Sequence, residues 1–513
     1  MKKLHLLLII LCLLFQTIKV HTKERKSSVF TEGIISCECS DIFDDLVNKI
    51  EQNYIAYHIE IKGKREKEYL AYKNTFKLKA KNSSKAGCIE VLKEFIEFYK
   101  DGHLYIGQFP KPNEEQIKEL IANAEVINFS ENEVKKYLID REKKLDPIEG
   151  IWFANDSTKY AIIRNKTKQR DFVAFLLSNS SEKWKAGHVK AEFKKLKDGS
   201  YDVVYYDKNH YPLHPGAYTK GQKGGAAIRR DLILHMPPIS WGKEFPVKTE
   251  NHNYIDKTDP RKPTIKIIDS DNILIAIPSH RPEFAEILKL FIEEHEDKIR
   301  NAKNLILDLR GNEGGSSGVT NVLLPYIETK ENNPHKYWVD DKMYVLSSSR
   351  NIEYYKNAQK QGWAPEKLVK RAEENAGNII PFQDPVDNQI VDETATKDEA
   401  IKTKELSMPK NVAILMDGSI VSAGETFILN AMKNNKVTLF GQPTAGCIDY
   451  QSTYWINLTA CSELGLFLGY PMFAASNRLP EGGVNRTGIE PDVFIDKNEK
   501  NNIGFIIEYY NKN

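Results

Sequence analysis

The stretch NVAILMDGSIVSAGETFILNAM, residues 411–432, changes character at one serine. The run Asn411 to Met416 is apolar and reads as a buried strand, and a helical pattern follows Ser422. Ala423 and Gly424, the smallest residues available, follow the hydroxyl. One reading is a helix N-cap at a plain turn. The other is a hydroxyl that something large must approach.

Working outward, the same alternation recurs. ILIAIP (273–278) leads to a helix whose stripe is Phe284, Ile287, Leu288, Phe291 and Ile292. NLILDL (304–309) passes through RGNEGGSSG (310–318) into a helix carrying Val319, Val322, Leu323 and Tyr326, and KVTLFG (436–441) follows the serine helix. Strands alternating with helices predict an α/β layered domain over 251–513. Within it, 330–408 is polar and partly helical, which suits a lid or solvated padding.

Upstream the patterns differ. Over 23–147 the chain reads as a helical region: Phe43, Val47, Ile50 and Tyr54 form one stripe, and Ile89, Leu92, Phe95, Ile96 and Tyr99 another. Gly102 suits a left-handed helix stop, with HLYIGQF as a short strand after it. From 148 to 250 the period becomes two, with a hairpin signal at Asp198-Gly199, which predicts an antiparallel β barrel or sandwich.

At 513 residues the chain exceeds a single core and suits about three domains. A net charge of +2 gives no reason to expect a nucleic-acid or acidic-membrane partner. Residues 1–22 carry two lysines and an apolar run from Leu4 to Phe15, the layout of a secretory signal peptide, with an uncleaved short anchor as the alternative. No later stretch is apolar enough to span a bilayer. The expected location is therefore periplasmic, secreted or cell-surface. In an oxidising compartment Cys37 or Cys39 could bridge to Cys88, and Cys447 to Cys461, leaving one odd thiol. Cys37-Glu38-Cys39 lacks a second ligand pair and there is no His-Glu-x-x-His run, so no metal or cofactor is expected.

A serine nucleophile needs a base for its proton and fixed N–H donors for the oxyanion it creates. A serine opening a helix has free backbone N–H groups and the positive end of the dipole beside it. The Gly314-Gly315 pair after a strand can expose a further N–H, although a tight turn would explain it equally. Nucleotide binding is poorly supported, because the segment has neither Gly-Lys-Ser/Thr nor a Gly-x-Gly-x-x-Gly spacing.

Taken in order, LILDLRGNEGG, VSAGETF, GQPTAG and GIEPDVFI resemble the tail-specific, or C-terminal-processing, serine peptidases, with KDGHLYI as an upstream element. The resemblance covers about 263–495. It implies a crotonase-like ββα spiral and peptide-bond hydrolysis through an acyl-enzyme. Ser422 would be the nucleophile, with an oxyanion hole from Ala423 and Gly314 or Gly315. One branch of the family uses a lysine where this chain has Cys447, so that dyad is absent, although Gln451 is kept. The tricorn-like branch uses an upstream histidine, which makes His103 the expected base, oriented from the position of Asn485 or by nearby Glu481. His280 is the reserve base and His295 reads as a core group, while Asp308 and Arg310 would hold the glycine loop. No PDZ-like carboxylate-binding loop is found, and the β-domain stands in that place. The expectation is an exported serine endopeptidase acting on proteins or peptides. The alternative is a weak or inactive peptidase-fold protein that binds a peptide or an apolar ligand. A crotonase-type acyl-CoA enzyme fits poorly with export.

Overall fold

The computed structural model describes residues 38–512, except 86, 110–111, 166–169, 179–182, 215–224, 231, 237–238, 248–254, 257, 330–336, 338–341, 363, 383–407, 486, 497–498 and 500. The signal-like segment and Cys37 lie outside the described residues. No described helix is long and apolar enough to cross a membrane.

The α/β part is built on a six-stranded sheet ordered Thr264–Ile267, Asn272–Ala276, Asn304–Asp308, Asn411–Met416, Val437–Gly441 and Val493–Phe494. The first pair is antiparallel and the rest are parallel. Parallel strands need both faces covered, and alternate residues supply both. Ile273, Ile275, Leu305, Leu307, Val412 and Ile414 face the layer that includes helices Ala285–Glu294 and Ala423–Ala431. Leu274, Ile306, Ala413 and Leu415 face the opposite layer, where Ile503, Ile506 and Tyr510 of helix Asn502–Lys512 pack. Each fully buried aliphatic side chain there contributes about 1.5–3 kcal/mol.

A second sheet carries the N-terminal region into this domain. Tyr105–Gln108 pairs antiparallel with Leu466–Ala474, in a register that sets Tyr105 opposite Gly469 and Ile106 opposite Leu468. Leu466–Ala474 also pairs with Tyr450–Asn457 and with Tyr344–Leu346, which pairs in turn with Ile379–Pro381. Helices Cys39–Asn53, Glu66–Lys81 and Cys88–Ile96 share one core with this sheet, in which Phe43, Tyr54, Tyr69, Phe95, Tyr355 and Tyr470 are buried. The described part of 330–408 is therefore neither lid nor padding: its two strands extend the sheet, and Tyr355 and Leu368 from its helices enter the core.

Between these parts lie nine antiparallel strands from Gly150–Asn155 to Ile239–Phe245, each next to its sequence neighbour along most of the order. Ile239–Phe245 pairs back onto Gly150–Asn155. At the other seam Tyr201 and Ala226 exchange both backbone hydrogen bonds, at 2.8 and 3.0 Å. The ladder is thus tied into an up-and-down barrel filled by Trp152, Phe175, Phe193 and Trp241.

Cys39 and Cys88 form a disulfide. The expected Cys447–Cys461 bridge does not form: Cys447 is a free, buried thiol, and Cys461 is itself disulfide-bonded. Among the described cysteines the odd thiol is Cys447.

Candidate active site

Three loops meet at Ser422. Strand Asn304–Asp308 runs into the glycine loop, strand Asn411–Met416 into the serine turn, and strand Val437–Gly441 into the loop holding Cys447. Backbone bonds stitch them together. Leu309 N–H donates to Leu415 O, Val421 N–H to Asn312 O, Ala445 N–H to Ile420 O and Ser422 N–H to Cys447 O, the last at 3.1 Å. Asp417 accepts from the N–H groups of Gly311 and Ser419.

Ser422 has φ 54° and ψ −122°, a region costly for a residue with a Cβ. It directly precedes helix Ala423–Ala431, yet its side chain makes no capping hydrogen bond. The N-cap explanation therefore fails. The residue is half-buried.

Gly314 packs directly against the serine: a Cβ there would lie 2.8 Å from Ser422 Cβ and 3.4 Å from Oγ. Its own N–H is taken by Asn312 Oδ1 at 2.9 Å. Gly315 differs. His280 N–H donates to Gly314 O, and Ser316 N–H to His280 O, a parallel bridge that turns the Gly315 N–H away from His280. Among the described residues no acceptor meets the N–H groups of Gly315 or Ala423. Asp308 and Arg310 pair through two hydrogen bonds, and Arg230 adds a contact to Asp308 at 3.4 Å. Burial raises the Asp308 carboxyl, but the two arginines outweigh it and hold the group below its ordinary value.

His103 follows a left-handed helix stop made by Lys100, at φ 53°, rather than by Gly102. It precedes the strand Tyr105–Gln108, whose pairing with Leu466–Ala474 carries it to this site. One of its ring nitrogens lies within 4.8 Å of Cys447 Sγ. Nδ1 meets the Tyr450 carbonyl at 2.7 Å. A carbonyl only accepts, so Nδ1 bears the proton and Nε2 keeps its lone pair. Burial of the ring atoms pushes its pKa down to about 4, against the upward pull of the Tyr450 bond. No hydrogen bond joins the ring to Ser422.

The expected orienting residues stand elsewhere. Asn485 Oδ1 accepts from the N–H groups of Ile448 and Asp449, and its amide nitrogen reaches Asp101 at 3.4 Å. Glu481 is exposed. Neither side chain bonds to the imidazole; Tyr450 O does. Asn485 acts one step removed, by holding the backbone just before Tyr450. His280 is fully buried with Nδ1 on Asn312 Oδ1, bracing the glycine loop from behind. His295 is half-buried at a helix end, where its ring meets Phe291 O, and is not a core group.

Residues unmarked in the sequence reading complete the site. Asp101 accepts from Tyr54 Oη at 2.5 Å and from His103 N–H at 3.0 Å. Burial is the main cause that pushes its pKa up to about 7. Glu425, fully buried, accepts from Thr444 Oγ1, Gly446 N–H and Cys447 N–H, fixing the loop whose carbonyl holds Ser422. Burial likewise pushes it up to about 7. Asp101 and Glu425 each sit inside a motif already noticed, DGH and SAGE, which was their available signal. The Tyr450 carbonyl has none, since it is backbone.

Residues 274–495 match the family model described as Peptidase family S41. No curated protein matches the chain. Among solved structures, a lipoprotein from Streptococcus agalactiae is similar at 12% identity and TM-score 0.39, covering 94% of this chain and 99% of that one. Mature CPAF is similar at 12% identity and TM-score 0.42, over 92% and 96%. The tricorn protease is similar at 15% identity and TM-score 0.37, over 93% of this chain and 36% of that one. The glycine loop, the serine turn and the Cys447 loop all lie within the segment 274–495 that matches peptidase family S41.

Proposed function

We propose that the protein is an exported serine endopeptidase in which Ser422 is the nucleophile and His103 the general base. The observation that carries this reading is the meeting at Cys447. Its carbonyl holds the Ser422 N–H at 3.1 Å, and its sulfur lies within 4.8 Å of a His103 ring nitrogen. A residue from the N-terminal region and one 319 positions later are thus gathered around a third.

Nε2 of His103 takes the proton as Oγ attacks the peptide carbonyl, and returns it to the departing amine. The open N–H groups of Ala423 and Gly315 hold the oxyanion, while Gly314 leaves room for the serine. Water then releases the acyl group with the same base. Hydrogen bonds of this kind commonly tighten only once substrate is bound. The Cys39–Cys88 disulfide supports export, together with the signal-like segment 1–22.

One observation favours a second reading, a weakly active or inactive protein that binds a peptide or apolar ligand. Nδ1 is oriented by a neutral carbonyl, which stabilises an imidazolium less than a carboxylate would. A fluorophosphonate probe separates the two. Labelling at Ser422 that is lost in Ser422→Ala and strongly slowed in His103→Gln supports the peptidase. A folded protein that takes up no label supports the binder.

A further inference from the structure

Asp101, His103 and Cys447 present one carboxylate oxygen, one ring nitrogen and one sulfur within 4.8 Å of one another. Carboxylate, imidazole and thiolate are the donors that zinc and similar thiophilic ions take. Around one tetrahedral ion such atoms lie about 3.3–3.8 Å apart, so side-chain adjustments of about 1 Å would complete the set.

The surroundings match what such an ion requires. The free ring nitrogen is Nε2, because Nδ1 is tied to the Tyr450 carbonyl, and a metal-bound imidazole commonly donates its other N–H to such a carbonyl. Asp101 is fixed by Tyr54 Oη and the His103 backbone N–H, as ligating carboxylates usually are. The field also favours a cation. The hydrogen-bond donors to the buried Asp101 and Glu425 are hydroxyls, an amide side chain and backbone N–H groups, with no lysine or arginine among the described residues.

We infer that Asp101, His103 and Cys447 form an inhibitory site for a thiophilic divalent cation of the zinc class. Binding takes the Nε2 lone pair and a carboxylate lone pair and releases the Cys447 thiol proton to solvent, so the ion withdraws His103 from Ser422. The inhibitory role rests on the reading of His103 as base, whereas the ligand set does not.

Cobalt(II) added to the full chain without substrate tests the ligand set. Thiolate-to-cobalt charge-transfer absorption is expected, displaced by zinc and absent in Cys447→Ser. Asp101→Asn should weaken cobalt binding by about tenfold or more. Because a variant could misfold, X-ray absorption of the zinc-loaded parent provides the second readout, with one sulfur expected around the ion. Peptide hydrolysis should fall with zinc and return with a chelator. Absence of both the charge-transfer band and sulfur ligation overturns the site, and zinc bound through sulfur with hydrolysis unchanged overturns its inhibitory role. Cobalt binding in a protein whose Ser422 takes no fluorophosphonate would sink the peptidase reading alone.

Discussion

His103 Nδ1 and the Tyr450 carbonyl oxygen are 2.7 Å apart, and this contact decides which ring nitrogen is available as a base. The ring's pKa is lowered by burial to about 4, so the imidazole is neutral at every pH above that value. A base must be neutral to act, so activity is present above about pH 4 and lost as pH falls through it. The acid limb of kcat/KM should therefore lie well below the ordinary histidine value of 6.5. A limb centred near 6.5 in a stable protein would mean that His103 is not the titrating base.

Removing Ser422 or His103 should each cost about 10⁴–10⁶-fold in kcat, and the double variant little more than either alone, because the pair acts as a unit. Steady-state rates of Ser422→Ala, His103→Gln and the combined variant on a peptide substrate check this. Multiplying losses would point to two independent roles.

The sheet was legible because parallel strands buried on both faces leave continuous apolar runs, as Asn411–Met416 and Asn304–Asp308 do. Ser422 and the Gly314-Gly315 pair could be read for a related reason: close approach restricts residue type. Barrel closure could not be read, since among the described residues it rests on one exchange between Tyr201 and Ala226. Nor could the orientation of His103, because a backbone carbonyl leaves no mark on residue identity. Cys447 was paired with the wrong cysteine because spacing says nothing about connectivity. The 330–408 segment reads as polar because its strands and helices bury only one face of short elements.

A Cβ at Gly314 would meet Ser422 Cβ at 2.8 Å, at a φ of 75° that already strains alanine. Gly314→Ala should displace the nucleophile and lower kcat by about 10²-fold, the usual scale for a misplacement near 1 Å. Gly315→Ala meets the His280 carbonyl at 2.1 Å, a backbone atom that cannot swing away. That variant should lose stability first. Comparing kcat with thermal unfolding for the two distinguishes these effects, and equal losses of stability with no difference in kcat would refute the placement argued for Gly314.

Glu425 holds three donors, and in Glu425→Gln the amide nitrogen must face one of them. Leaving a buried backbone donor unmet costs about 1–3 kcal/mol. The pH dependence has a definite sign. The folded pKa is raised to about 7 from 4.5, so the contribution of Glu425 is full below about 4.5 and lost as pH rises through 7. Denaturant midpoints at pH 5 and pH 8 should therefore show the variant's deficit larger at pH 5. A deficit that grows towards pH 8 would contradict the assignment.

The barrel reaches the glycine loop through Arg229. This buried side chain donates to Gly311 O at 3.0 Å and packs its stem against Gly311, where a Cβ would lie 3.2 Å from Arg229 Cβ. Gly311 N–H is held at the same time by Asp417, so one residue is gripped on its two flanking peptide groups, from the barrel and from the α/β part. Four residues later comes the Gly315 N–H proposed for the oxyanion. Arg229→Ala removes a charged hydrogen bond of about 1.5–3 kcal/mol and leaves the Gly311 carbonyl without that donor. If the bond only stabilises the interface, unfolding shifts and turnover is unchanged. If it holds the loop in register, kcat falls while KM changes little, because the oxyanion forms only in the transition state. The second outcome is expected, since Gly311 loses its only grip from the barrel among the described bonds to it, and a further barrel contact to the loop, His235 to Glu313 at 3.5 Å, lies two residues further on. Arg230→Ala should matter less, because Asp308 keeps both hydrogen bonds from Arg310.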